Sequence, residues 1–307
     1  MRQPELPATR RLAWLYSSAQ QRLAIAGLTA LEREIGASLR PGLDHQVAHT
    51  RLEWWREECA RSAHGHPTHP LTRELAGLFG PQGEAPLCDL AGLVDTAVWD
   101  LARATFDTRP ELTAYCERWS AAMILPLVRL AAPGNSFAEA PALGASLREI
   151  ELLLSLAADA RAGRLRIPLD ELERAQVLPE ALAHPPWPAP LATLLHKRHA
   201  ELRAVVAAAV EALTPQLRQP LRGLIVWATM ACTASGRAQA RLPEASGPRD
   251  HHGVLDGWRA WRAARAAARR GPAADAGDAT DESTFRRKIT KRLTIAKGTR
   301  ATSSGGR

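Results

Sequence analysis

Apolar residues spaced three and four apart, in windows closed by proline or glycine, confine this chain to helices. From Leu12 to Arg40 the series Leu23, Ile25, Leu28, Leu31 and Ile35 repeats with the period that lines one face of a helix. His45 to Arg61 continues it with Val47, Leu52, Trp54 and Trp55. The pattern stops at His66-Pro67 and His69-Pro70, because a residue before proline is pushed out of the helical region. Further windows are 72–79, 87–105, 110–131, 141–162, 190–213, 220–240 and 254–269. Proline, glycine or both mark nearly every junction. No stretch alternates as a half-buried strand would, and no repeat of fixed period occurs. The reading is all-α.

The chain has 307 residues, enough for one large helical domain with a real core. Apolar residues make up 46% and charged ones 23%, the balance of a soluble globular body. The longest nearly uncharged apolar run, Leu224 to Ala234, is too short to span a bilayer, and Met1 to Arg11 lacks the apolar centre of a secretory signal. Cys59, Cys88, Cys116 and Cys232 form no CxxC, which argues against a disulfide framework or zinc knuckle and for a reducing cytoplasm.

The net charge of +8 belongs to the end of the chain. Beyond Glu282 lie Arg286, Arg287, Lys288, Lys291, Arg292, Lys297, Arg300 and Arg307, so the other 32 basic residues balance the 32 acidic ones. Residues 271–307 carry too little apolar surface to offset the entropy of ordering. The expected division is a helical domain over 1–270 and a low-complexity, basic, disordered tail over 271–307. A short basic helix over 284–295 could meet an anionic surface, and a plain solvated terminus is the alternative. Nucleic-acid binding would rest on that tail alone, whose single aromatic, Phe285, makes no stacking platform.

Three stretches, in order, resemble the squalene/phytoene synthase family. The first is Ala30-Leu31-Glu32-Arg33-Glu34-Ile35 with Arg51-Leu52-Glu53-Trp54-Trp55-Arg56-Glu57-Glu58 and the loop His66-Pro67-Thr68-His69-Pro70. These resemble the family's "R-E" helix, "L-x-W-W-R-x-E" and Pro-His-Pro loop. Next, Glu111-Leu112-Thr113-Ala114-Tyr115-Cys116 is similar to "E-L-x-x-Y-C". Last, Asp159 to Leu172 is similar to "D-x-x-x-G-R-x-Y-x-P-x-x-x-L". The resemblance spans residues 12–265. It implies a single-domain isoprenoid-synthase-type helical bundle around a central cavity, and a reaction that ionises an allylic diphosphate and joins two isoprenoid chains head to head.

A departing diphosphate needs metal ions and cationic side chains against its charge. Mg²⁺ takes oxygen ligands, and aspartates at i and i+4 share a helix face and can hold such ions together. In the family pattern Arg-x-x-Asp-Asp-x-x-Asp, begun at Arg33, the acids fall on Gly36, Ala37 and Arg40. In Asn-x-x-Arg-Asp-x-x-x-Asp the positions are Glu151, Leu154, Ser155 and Asp159, so only the last acid is kept. The family's tyrosine after Arg164 is Arg166, and its "S-F-x-x-A" helix has no counterpart before Tyr16-Ser17-Ser18. Losing a metal clamp costs several kcal/mol in the transition state, and about 1.4 kcal/mol is tenfold in rate.

Two residual sites follow. Glu151, Ser155 and Asp159 are spaced i, i+4, i+8 and could hold one Mg²⁺ if the chain is active. Arg33, Arg40, Arg164 and Arg166 could bind an anionic head group directly. The bland readings are a solvated helix side for Arg148, Glu149 and Glu151, and surface ion pairs for the arginines. His64, His66 and His69 read as a structural loop rather than a zinc site. Trp54, Trp55, Trp99, Trp119, Trp227, Trp258 and Trp261 read as core or cavity wall. No GxGxxG, P-loop or G-x-S-x-G occurs.

The expectation is a catalytically degenerate, isoprenoid-binding or assembly-type protein, similar to a branch of the family that includes a respiratory complex I assembly factor. Its partners would be an isoprenoid or prenyl diphosphate, a protein, or the inner face of a membrane. The alternative is an active prenyltransferase with a reduced Mg²⁺ site.

Overall fold

Fourteen α-helices and two short 3-10 turns order the described residues of the computed structural model, with no strand among them. Those residues are 6–40, 42–79, 87–134, 137–245, 247 and 253–269. The expected tail over 271–307 lies outside them. The helices are α1 (Ala8–Tyr16), α2 (Ala19–Gly36), α3 (His45–Ala63), α4 (Pro70–Phe79), α5 (Ala91–Leu101), α6 (Arg109–Met123) and α7 (Leu125–Ala131). There follow α8 (Ala140–Leu154), α9 (Leu156–Arg161), α10 (Leu169–Arg174), α11 (Ala189–Ala212), α12 (Pro215–Arg218), α13 (Arg222–Gln239) and α14 (Val254–Arg269). None of the described helices is long and apolar enough to cross a membrane.

Three helices expected to be continuous are interrupted, each by local chemistry. The first breaks at Ser17-Ser18, where the Ser18 hydroxyl accepts from the Gln21 amide and the Gln21 side chain accepts from the Ser18 amide. This reciprocal cap satisfies donors at the start of α2. It also leaves residues 8–16 as the separate helix α1, which begins four residues before the expected window and stands where no counterpart of the family's "S-F-x-x-A" helix was expected. The second break falls at Ile124, just before Pro126, which has no amide to donate. The third falls at Ser155, whose hydroxyl oxygen sits 3.3 and 3.2 Å from the Glu151 and Leu152 carbonyls and 2.9 Å from Asp159 Oδ2, to which it donates.

α8 is the hub. It packs on α6, α11 and α13, while α13 also carries α1 and α14. The α6–α8 approach is close: a Cβ on Gly144 would lie 1.9 Å from Ser120 Oγ and 2.9 Å from an Ile124 carbon, so only glycine fits there. Between α1, α2, α6, α8 and α13 the middle of the bundle is filled by Trp119 and Trp227, each 1% exposed and set edge to face at 6.3 Å.

The family-like Glu58 is a structural anchor. Its two oxygens accept from the Thr68 and His69 amides, both at 2.8 Å, from the Thr68 and Thr72 hydroxyls, and from the Arg61 guanidinium. Burial pushes its pKa up, but the Thr68 and Thr72 hydrogen bonds hold it at about 2. The Pro-His-Pro loop is thereby pinned to α3, with the His69 ring 4.8 Å from that of Trp55. Trp54 and Trp258 are not core residues, at 42% and 43% exposed.

Candidate anion site between α2, α8 and α9

The C-terminal end of α2 faces α8 and α9 across a cavity of about 500 Å³. Gly36, Leu39 and Arg40 line one side; Arg148, Glu151, Leu152, Ser155 and Asp159 line the other. Asp100, Arg164 and Arg166 complete the wall. All three residues of the expected acid–hydroxyl–acid set therefore meet one space, although the helix carrying them breaks at Ser155.

The way α9 ends decides what Asp159 can do. Gly163 adopts φ +78°, with its amide on the Ala160 carbonyl and the Arg164 amide on the Asp159 carbonyl, both at 2.9 Å. This left-handed stop needs glycine and turns the chain back along the helix. The Arg164 side chain then returns onto Asp159, donating to Oδ1 at 2.7 and 3.2 Å. Ser155 donates to Asp159 Oδ2 at 2.9 Å, and Arg166 Nε lies 3.3 Å from the same oxygen. Burial alone would raise the Asp159 pKa, but Arg166, Arg164 and Ser155 hold it below the usual range.

Arg166, which stands where the family has tyrosine, is 4% exposed and forks onto both oxygens of Asp100 at 2.7 and 2.9 Å. Tyr115 donates to the same carboxylate at 3.3 Å, with the Arg166 guanidinium 5.4 Å from its ring. Nothing in the sequence marked Asp100.

The second acid, Glu151, is equally committed. Arg10, from α1, donates to it at 3.0 and 3.3 Å and to Glu32 at 2.6 Å; Arg148 lies 3.4 Å from Glu151 and 3.6 Å from Glu32. Trp119 Nε1 donates to Glu32 at 2.7 Å. Burial raises the Glu32 pKa, yet Arg10 and Arg148 bring it down to about 2. Arg10 is 2% exposed and lies 5.1 Å from the ring centroids of both Trp119 and Trp227. The polar side expected of α8 is thus inside the protein: Glu149 is 4% exposed and bound at 2.7 Å by Arg198, and Arg148 and Glu151 line the cavity.

Three of the four expected anion-binding arginines, Arg40, Arg164 and Arg166, gather at the cavity. Arg33 does not: it is exposed on α2 and absent from the lining. Arg148 takes its place, with Arg10 behind the wall. Arg164 and Arg166 are not surface ion pairs but part of one connected network. Arg40 differs from the rest: it donates to the Ala37 carbonyl at 3.2 Å and has no carboxylate within ion-pair distance among the described residues.

The family implies Mg²⁺, and the donor set does not fit it. Opposite Asp159 and Glu151 stand Gly36 and Arg40, and each of those two acids already faces two guanidiniums. A divalent ion would have to displace arginines and sit beside their charges. No group of three or more His, Cys, Asp or Glu side chains converges as a metal site among the described residues. What the arrangement offers is four guanidiniums lining one open space, of which Arg40 has no carboxylate partner among the described residues. Such a space suits a phosphate or carboxylate.

The profile of the squalene/phytoene synthase family matches residues 8–258. Among solved structures, a dehydrosqualene synthase in complex with a ligand superposes with a TM-score of 0.71 at 16% identity. The match covers 84% of this chain and 90% of that one. No curated protein sequence matches the chain.

Proposed function

Since this chain belongs to the squalene/phytoene synthase family, we propose that it is a catalytically degenerate member that binds the anionic head of an isoprenoid ligand without a divalent ion. The observation that supports this reading is the pairing of Asp159 with Arg164 and Arg166 and of Glu151 with Arg10 and Arg148. Where a synthase would need acids to gather metal, this cavity holds arginines, and Arg40 has no carboxylate partner among the described residues. The role is that of a binding or assembly-type protein working on the fold of an enzyme. The small, largely charged cavity suits a head group, and the Arg10–Trp119–Trp227 stack occupies the bundle centre.

The test is incubation with farnesyl and geranylgeranyl diphosphate, with and without Mg²⁺ and NADPH, followed by product extraction, mass spectrometry and calorimetric titration in EDTA. The expected result is no coupled hydrocarbon, together with diphosphate binding that survives EDTA and weakens about tenfold in Arg40→Ala, the scale of one charged hydrogen-bonded contact. Mg²⁺-dependent product would overturn the proposal in favour of an active prenyltransferase. Asp159→Ala separates the two directly. It frees Arg164, while Arg166 stays forked on Asp100, and strengthens diphosphate binding in this reading, whereas it abolishes turnover in the other.

A further inference from the structure

Helix α14 is mounted with its large apolar residues outward. Its inner face is Asp256, Ala260, Ala264 and Ala267, all buried, with Ala260 and Ala264 packed among Val226 and Met230 of α13 and Leu12 and Tyr16 of α1. Outward stand Val254, 82% exposed, Leu255, 66%, and Trp258, 43%. Trp261 is half-buried, but a helix that docks through alanine and gives its valine, its leucine and one of its two tryptophans to the outside inverts the usual order of burial.

The charges follow the same division. Arg262 stacks over the Trp258 ring at 4.6 Å, Arg265 lies 5.2 Å from that of Trp261, and Arg269 is exposed at the helix end. The one acid of the helix, Asp256, is 2% exposed and held by Arg237 and Arg259. The outer face therefore carries apolar side chains at its N-terminal end, cations along its length and no exposed acid. In sequence, the chain beyond Glu282 adds eight more cations and no acid.

We propose that the outer face of α14 docks this protein on an anionic lipid surface, with Val254, Leu255 and Trp258 entering the headgroup layer and Arg262, Arg265 and Arg269 meeting lipid phosphates. Charge complementarity selects this occupant. A second copy of the face would set arginine against arginine. A nucleic acid would satisfy the arginines but leave Val254 and Leu255 without an apolar environment. A bilayer interface supplies both, and tryptophan favours that depth. This inference is independent of what the arginine cavity binds.

The experiment is co-sedimentation of the full chain with vesicles of phosphatidylcholine, pure or containing 30 mole per cent phosphatidylglycerol (about the anionic content of a charged leaflet). Wild type is expected to bind the anionic vesicles at least about tenfold more tightly. Leu255→Asp with Trp258→Asp, and separately Arg262→Glu with Arg265→Glu, are expected to lose about tenfold or more with unchanged circular dichroism, since all four side chains lie on the outer half of the helix. Three outcomes overturn the proposal: no preference of wild type for anionic vesicles, outer-face variants that bind as wild type does, or variants that change only the oligomeric state in sedimentation. In the second case, neutralising Arg286, Arg287, Lys288 and Lys291 identifies the chain end as the lipid contact instead.

Discussion

Replacing Glu58 by glutamine tests whether a motif acid of this family serves the fold. Six hydrogen bonds end on the two Glu58 oxygens, three on each. An amide replaces one oxygen by a donor, so either orientation of glutamine turns an NH₂ toward donors that need an acceptor. The size of the effect follows from proton linkage. The carboxyl falls from 4.5 to about 2 on folding, and each unit is worth about 1.36 kcal/mol, which makes about 3 kcal/mol at pH 7. The folded pKa is the lower one, so this stability is complete above the unfolded pKa and is lost as pH falls through the folded one. By pH 3 about 2 kcal/mol of it has gone. Urea unfolding followed by far-ultraviolet circular dichroism should therefore separate Glu58→Gln from wild type by about 3 kcal/mol at pH 7 and by about 1 kcal/mol at pH 3. Other titrating groups cancel in that difference. A gap below about 1 kcal/mol at pH 7, or one that does not narrow between pH 5 and 3, refutes the reasoning.

Other perturbations have equally direct readouts. Gly144→Ala places a methyl where Ser120 Oγ lies at 1.9 Å and should cost about 1–3 kcal/mol; Ser120→Gly in the same chain should restore much of the loss in thermal unfolding. Arg10→Ala strips Glu32 and Glu151 of a guanidinium buried between two tryptophans and should cost about 3–5 kcal/mol in urea unfolding. A loss under 1 kcal/mol would mean that the plug does not hold the bundle together. His199 is 3% exposed, its Nδ1 2.9 Å from Ser235 Oγ, and burial beside Arg203 drives its pKa from 6.5 to about 4. The neutral form is the folded one, so its contribution is complete above pH 6.5 and fades as pH falls toward 4. His199→Asn should flatten the pH dependence of stability in that window, and an unchanged slope there would count against the assignment.

Much of the chain was legible in one dimension because helices announce themselves locally. Windows 45–61, 190–213, 220–240 and 254–269 match α3, α11, α13 and α14 to within two residues at each end, since apolar period and flanking proline act over a few residues. The breaks at Ser18 and Ser155 were missed because serine at those positions is read only through the hydrogen bond its hydroxyl chooses. At the site, the replacement of family acids by Gly36, Ala37 and Arg40 was visible in the sequence, and so were Asp159, Gly163 and Arg164 as a motif.

Pairing was not visible. Asp100 and Arg166 are 66 residues apart, and Arg10 and Glu151 are 141 apart. No local pattern tells a buried guanidinium from a solvated one. Arg33 and Arg166 look alike in sequence, yet α2 turns the first to the outside while the stop at Gly163 leads the second to two carboxylates. The sequence by itself determined that this chain is a helical bundle of a known family with its metal-gathering acids replaced, because periodicity and motif spacing are properties of neighbouring residues. Only the tertiary structure decided that arginines occupy the remaining acids, because desolvation and charge pairing depend on which distant side chains share a space.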